Sequence, residues 1–318
     1  MRSSSSLLLA GALALSACAD STALEEAAPA ALQGPLQVSN GANLNGANLN
    51  GANLNGPDLA STLVSVNYAG ATREGLNGNK LDGVQLRGTE FFGFQGSSTF
   101  FGQDFNQAHF FGTLGDGRTV ELLIASLSAP TAPDDIWTYR VKYWDAPTQG
   151  WRPLCLLRDG TEVDAIPVAG RWDYGQGVPG GGSKIDDPTT FTFACERSAI
   201  TKCIRQGYKP WATVNGVSMG EHHQACTRLI RADFCGDGTS YTVDGQWVNL
   251  YDAVGVQQDT EDWYLEAEWD GTGARCFSPH NRSHAHVPCY QERTQAACGK
   301  LSNFANGTLL MSETPYRN

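Results

Sequence analysis

Cationic side chains are scarce in this chain: Lys and Arg number 22 against 33 Asp and Glu in 318 residues, a net charge of −11. A sequence-independent grip on phosphate backbones needs clustered Lys and Arg, so no nucleic-acid partner is expected. Long apolar runs are missing too. None approaches the roughly 18 residues of a membrane-spanning helix. No C-x₂-C pair occurs, which argues against a zinc knuckle. What remains is a Gly-rich, acidic, soluble chain with 13 Phe, 10 Tyr and 8 Trp. That aromatic supply is ample for at least one core, in one large domain or two small ones.

Met1-Arg2 gives a short positive start, Leu7 to Leu15 an apolar run too short to span a bilayer, and Leu15-Ser16-Ala17-Cys18 follows at once. Residues 1–17 therefore read as a signal peptide. The tetrapeptide resembles the bacterial lipobox, which implies cleavage before Cys18, a diacylglycerol on its thiol and attachment to a membrane. Removal of 1–17 takes away Arg2 and no acid, leaving 21 basic against 33 acidic residues. Anionic headgroups would repel such a chain, so the lipid must do the anchoring. Ala19, in place of Asp, resembles the signal for outer-membrane sorting.

With Cys18 set aside, eight cysteines remain: Cys155, Cys195, Cys203, Cys226, Cys235, Cys276, Cys289 and Cys298. An even set behind an export signal is expected to form four disulfides. Spacing does not give the connectivity; a local Cys289–Cys298 loop is the expectation for the tail, leaving six for the main domain.

Residues 18–35 hold the lipidated Cys and an Ala/Pro/Glu-rich tether. Gly41-Ala42-Asn43-Leu44-Asn45 then recurs at 46–50 and 51–55, with a looser copy at 56–60. The pattern resembles pentapeptide repeats, which implies a four-sided β-helix; a Gly/Asn linker is the competing expectation. Leu76, Leu81, Leu86 and Phe91 keep the spacing of five, and the Phe-rich stretch to 112 should pack. From 113 onward, strands are expected at Thr119–Ser126, Trp137–Trp144, Arg152–Leu157, Glu162–Val168 and Thr189–Cys195. Helices follow near Ser198–Gln206 and Gly220–Ala232, then strands at Tyr241–Val243, Trp247–Leu250 and Trp263–Trp269. The expected fold is α+β: a mainly antiparallel β domain with two helices, stapled by disulfides and preceded by a short pentapeptide-repeat, β-helix-like stub. Its expected divisions are 36–112 for the repeats and Phe-rich segment, 113–277 for the main domain and 278–318 for a Cys-containing tail.

Several constellations could carry chemistry. Gly175-Gln176-Gly177-Val178-Pro179-Gly180 matches the dinucleotide fingerprint, yet Pro179 and the glycines after it forbid the helix that the fingerprint needs, so a surface loop is expected. Gly216-Val217-Ser218-Met219-Gly220 matches the nucleophile elbow, with Asp252 and His280, His284 or His286 downstream. Ser218 to Glu221 also reads as a helix capping box, the preferred explanation. Cys235, after a helix bearing His222 and His223, could be a thiol nucleophile, but an even cysteine set favours a bridge. Adjacent helical positions differ by about 100°, so one of the two histidines is expected in the core and the other in solvent. His280, His284 and His286 form a candidate metal cluster without the helical H-E-x-x-H pattern. Asp259, Glu261, Asp262, Glu266, Glu268 and Asp270 are expected on a solvated sheet face. No catalytic constellation displaces its structural explanation, and no cofactor is expected.

Arg231-Ala232-Asp233-Phe234-Cys235-Gly236-Asp237-Gly238 resembles the ADYC domain of myxobacterial secreted and lipid-anchored proteins, with Phe234 in place of Tyr. Trp172-Asp173-Tyr174, Gly207-Tyr208-Lys209-Pro210-Trp211, His222-His223-Gln224-Ala225-Cys226 and Val243-Asp244-Gly245 resemble that family in the same order, over about 113–277. The resemblance implies a cell-envelope location and a disulfide-rich domain; it brings no catalytic residues. The expected function is that of a membrane-anchored envelope lipoprotein, a binding or structural module for a protein or glycan partner; the alternative is an envelope hydrolase using Ser218 or Cys235.

Overall fold

Phe91 sits at the centre of the larger aromatic cluster, its ring within 5.5 Å of Phe105, Phe110, Tyr139 and Phe191, centroid to centroid. The computed structural model that shows this describes residues 36–38, 63–73, 80–157, 159–173, 182–294 and 297–315. The signal peptide, Cys18, the tether, the repeats at 41–60 and the glycine loop 175–180 lie outside the described residues.

In chain order the strands of the first part are β1 (Leu36–Val38), β2 (Leu63–Arg73), β3 (Asp82–Arg87), β4 (Glu90–Gln95), β5 (Ser98–Phe101), β6 (Ala108–Leu114), β7 (Thr119–Ser128), β8 (Thr138–Asp145), β9 (Gly150–Pro153), β10 (Ala165–Ala169), β11 (Arg171–Trp172), β12 (Lys184–Ile185) and β13 (Thr190–Cys195). The second part holds α1 (Ala199–Arg205), β14 (Thr213–Val214), β15 (Val217–Ser218), α2 (Gly220–Arg231), β16 (Gln246–Tyr251), β17 (Tyr264–Asp270), β18 (Gly273–Phe277), α3 (Tyr290–Arg293) and β19 (Leu310–Thr314).

Seven antiparallel strands run in the order β10-β13-β2-β6-β7-β8-β9, and β10 also pairs with β8 through Ala165 and Tyr139, closing the sheet on itself. Alternation explains the filling: Ala108, Phe110 and Leu114 of β6 are buried while His109, Phe111 and Thr113 are not. The β3-β4-β5 meander delivers Phe91 into this interior. Leu86 faces Phe91 across the β3–β4 hairpin, so the spacing of five over Leu81, Leu86 and Phe91 belongs to a hairpin here, not to a coil of a β-helix. The boundary expected at 112/113 falls inside β6.

A second core lies between the helices and a five-stranded sheet of order β1-β16-β19-β17-β18. β13 is the shared wall: Phe191, Phe193 and Cys195 enter the barrel core, whereas Ala194 joins the helical core. Such burial on both faces suits its uninterrupted Thr-Phe-Thr-Phe-Ala-Cys run. The supposed tail supplies β19, which lies between β16 and β17. The fold is thus mainly antiparallel β with short helices, stapled by Cys155–Cys195, Cys203–Cys226, Cys235–Cys289 and Cys276–Cys298. The expected Cys289–Cys298 loop is corrected. α3 follows Cys289 directly, and the two sulfurs reach different partners, the turn after α2 and strand β18. Tyr241–Val243, expected as a strand, is irregular. Among the described residues no helix is long and apolar enough to cross a membrane.

Candidate functional site

Helix α2 carries most of the residues singled out by the sequence. From His222 to Arg231 every side chain is buried, because α1 is bonded to one side through Cys203–Cys226 and strands β17, β18 and β19 pack nearby. Both histidines are therefore inside, which corrects the expectation of one solvated imidazole. His223 Nε2 meets the Ile200 carbonyl at 3.3 Å; a carbonyl only accepts, so the proton sits on Nε2 and Nδ1 is bare. Burial pulls its pKa from 6.5 to about 3. His222, beside the Tyr208 ring, is also lowered by burial. Neither imidazole is a poised base in contact with solvent.

The segment after α2 locks five neighbours in succession. Ala232 adopts a left-handed conformation at φ 51° and ends the helix, its N–H turned back to Arg228 and Leu229 carbonyls. Asp233 Oδ2 accepts from Arg228 at 2.5 Å and from the Gly238 N–H at 3.1 Å, with Arg231 at 3.9 Å. Burial pushes this carboxyl up while the two guanidiniums pull it down. Phe234 is fully buried and stacked on Trp269 and Phe277, at 5.3 and 4.7 Å. Cys235 is bonded to Cys289, so it has no thiol with which to attack. At Gly236 a Cβ would lie 1.7 Å from the Thr272 carbonyl oxygen; no other residue fits there.

Ser218, the expected cap, is exposed on β15, one position before the observed N-cap. Met219 is the N-cap and offers no side-chain bond, and Ser218 Oγ lies 3.5 Å from the Gly220 N–H. The capping box is thus corrected, and so is the elbow's partner set: Asp252 accepts from the N–H groups of Val254, Gly255, Val256 and Gln257 and from the Tyr208 hydroxyl. It organises a loop. His284 Nδ1 is bonded to the Tyr241 carbonyl and His280 lies against Tyr264. Among the described residues, the one convergent group of ligand atoms is Glu268, Cys276 and Cys298, whose sulfurs are bonded to each other; His280, His284 and His286 do not converge. Of the acidic row Asp259 and Asp262 are exposed, but Glu266 and Glu268 inside β17 are not on a solvated face. Glu266 is fully buried against Arg282 and Ser312, and Glu268 accepts from Gly299, Asn303 and Thr308. Residues after 278 cover that face, which pattern reading of β17 alone misses.

A polar cleft of about 600 Å³ opens at the start of α2, bounded by Lys184, Ser218, Glu221, Gln224, Asp270 and Gly271 among others. A smaller depression of about 380 Å³ adjoins it through Asp270 and Thr272. The sequence had placed only Ser218 here as a functional candidate. Gln224 stood inside a noted motif, but nothing in its pattern marked a cleft.

A family model for the ADYC domain matches residues 102–283, more than half of the chain. The chain belongs to the ADYC domain family. The match runs further at both ends than the 113–277 stretch that carried the resemblance, and it takes in β6 of the barrel. No curated protein and no solved structure matches the chain. In this ADYC member the signature residues bind the helix end to β18 and to Cys289. With Phe in the Tyr position, the ring serves as core.

Proposed function

We propose that this ADYC protein is a bacterial envelope lipoprotein, of myxobacterial type, anchored in the outer membrane through a lipid on Cys18 and acting as a binding or structural module. The anchor is supported by Leu15-Ser16-Ala17-Cys18 at the end of a signal-like segment and by Ala19 after it. Four disulfides fit an oxidising compartment. The module reading rests on one observation above the others: Cys235, the residue that would make a thiol enzyme, is half of a bridge. Asp252 is taken up by a loop, and Ser218 has no imidazole bonded to its hydroxyl among the described residues. The partners are the membrane, through the lipid, and a glycan or protein of the envelope; the acidic charge disfavours nucleic acid.

The test is expression of the full chain in a bacterium with lipoprotein maturation, fed an alkyne fatty acid. The label should enter the protein in the membrane fraction and disappear in Cys18→Ser. An unlabelled protein released as a soluble species would overturn the anchor.

A further inference from the structure

The cleft at the start of α2 holds a polar group left without a partner. Gln224 Oε1 accepts from the Lys184 N–H at 3.1 Å, which fixes the amide's orientation, since a flipped amide would set donor against donor. Its Nε2 then has no acceptor, although the side chain is only 6% exposed and lines the cleft. A buried N–H in this state gains from any acceptor that the cleft receives.

Glu221 stands one turn earlier on the same face of α2, exposed, its carboxylate without a hydrogen-bond or ion-pair partner among the described residues. Gly271 packs against both. A methyl built on it would sit 2.9 Å from Glu221 Oε2 and 3.4 Å from Gln224 Cγ. The space above this glycine is therefore flanked by one acceptor and one donor-bearing side chain, and a side chain at 271 would fill it.

Charge narrows the ligand. Asp186, Glu221 and Asp270 outnumber Lys184 around the cleft, so a phosphate or carboxylate would be repelled despite the positive end of α2. Lys184 is already paired with Asp186, and Asp270 with Arg275. One carboxylate and one amide remain to be satisfied. Adjacent hydroxyls of a sugar do this together, one donating and its neighbour accepting, while Pro210 and Leu309 offer apolar wall to the ring's C–H faces. The volume lies within the roughly 300–1,000 Å³ of small-molecule sites.

The geometry points to a saccharide site: the cleft takes an uncharged sugar, Glu221 accepting from a hydroxyl and Gln224 Nε2 donating to a ring or acetamido oxygen. This rests on the binding-module reading and deepens it. The experiment uses the full exported protein, disulfides intact, in detergent, with N,N′-diacetylchitobiose, cellobiose and maltose as probes in ligand-observed NMR. At least one disaccharide should bind, and Gly271→Ala should weaken it by about tenfold or more with an unchanged melting curve. Glu221→Ala, an exposed change, should also weaken binding and guards against a misfolded Gly271 variant. No binding by any of the three sugars, or wild-type affinity in both variants, would overturn the site, as would inorganic phosphate displacing the sugar. Recovery of cleaved sugar would keep the site and overturn the non-catalytic reading. Sugar binding by a protein that carries no lipid at Cys18 would keep the site and fail only the anchor.

Discussion

Asp233 holds Arg228 at 2.5 Å in the interior, with both side chains at most 1% exposed. Arg231 adds a second guanidinium and donates to the Gly238 carbonyl. Asp233→Asn would leave two buried cations short of their counter-charge. Breaking a buried pair from one side costs about 3–5 kcal/mol, so urea unfolding of this variant should show a loss of that order. A loss under about 1 kcal/mol would contradict the structural account of the signature.

How much of this was legible in the sequence follows from range. The helices Ser198–Gln206 and Gly220–Ala232 and the strand Thr189–Cys195 were readable from local periodicity and appear within a residue or so of those bounds. Even parity made disulfides readable, but not their pairing. The Cys235–Cys289 bond spans 54 residues, and no local pattern encodes such closure. The burial of Glu266 and Glu268 was hidden for the same reason: their partners Arg282, Ser312, Asn303 and Thr308 come from later chain that covers β17. Of the cleft, Ser218 was visible as a motif; Gln224 and Gly271 became informative only once β17, β18 and α2 were placed side by side.

The barrel core should be sensitive at Phe91. Its ring contacts four inward-facing aromatics and is fully buried. Phe91→Ala is expected to cost about 3–5 kcal/mol in chemical denaturation. A much smaller loss would mean that the meander does not plug the barrel.

Cys235→Ser should leave Cys289 as one alkylatable thiol, with the other three bridges intact by peptide mapping. Loss of a native bridge costs about 2–5 kcal/mol. Free thiol at Cys235 in the unmodified, exported protein would restore the thiol enzyme as a contender.

Buried neutral histidines make stability depend on acid. The unfolded chain takes up a proton at His223 as the pH drops below 6.5, whereas the folded protein does so only near 3. The unfolded state thus binds more protons across that window, and unfolding free energy falls with decreasing pH by about 1.4 kcal/mol per unit for one proton. His222 acts in the same direction. Denaturation between pH 6.5 and about 5 separates this from most carboxylate titration. His223→Gln should flatten the slope, and an unchanged slope would remove the histidine as its source.

Ser218→Ala is expected to change stability by no more than about 0.5 kcal/mol, since Ser218 does not cap α2. A loss nearer 1 kcal/mol, the usual worth of an N-cap, would restore the capping box.

The most direct measurement for the whole account is the intact mass of the mature protein extracted from membranes, with and without thiol labelling. The expected species begins at a diacylglycerol-modified Cys18, takes up no label and falls about 8 Da short of the fully reduced mass, two hydrogens for each of four bridges. A soluble, unlipidated chain with a labelled Cys235 would contradict both the anchor and the structural role of the signature cysteine.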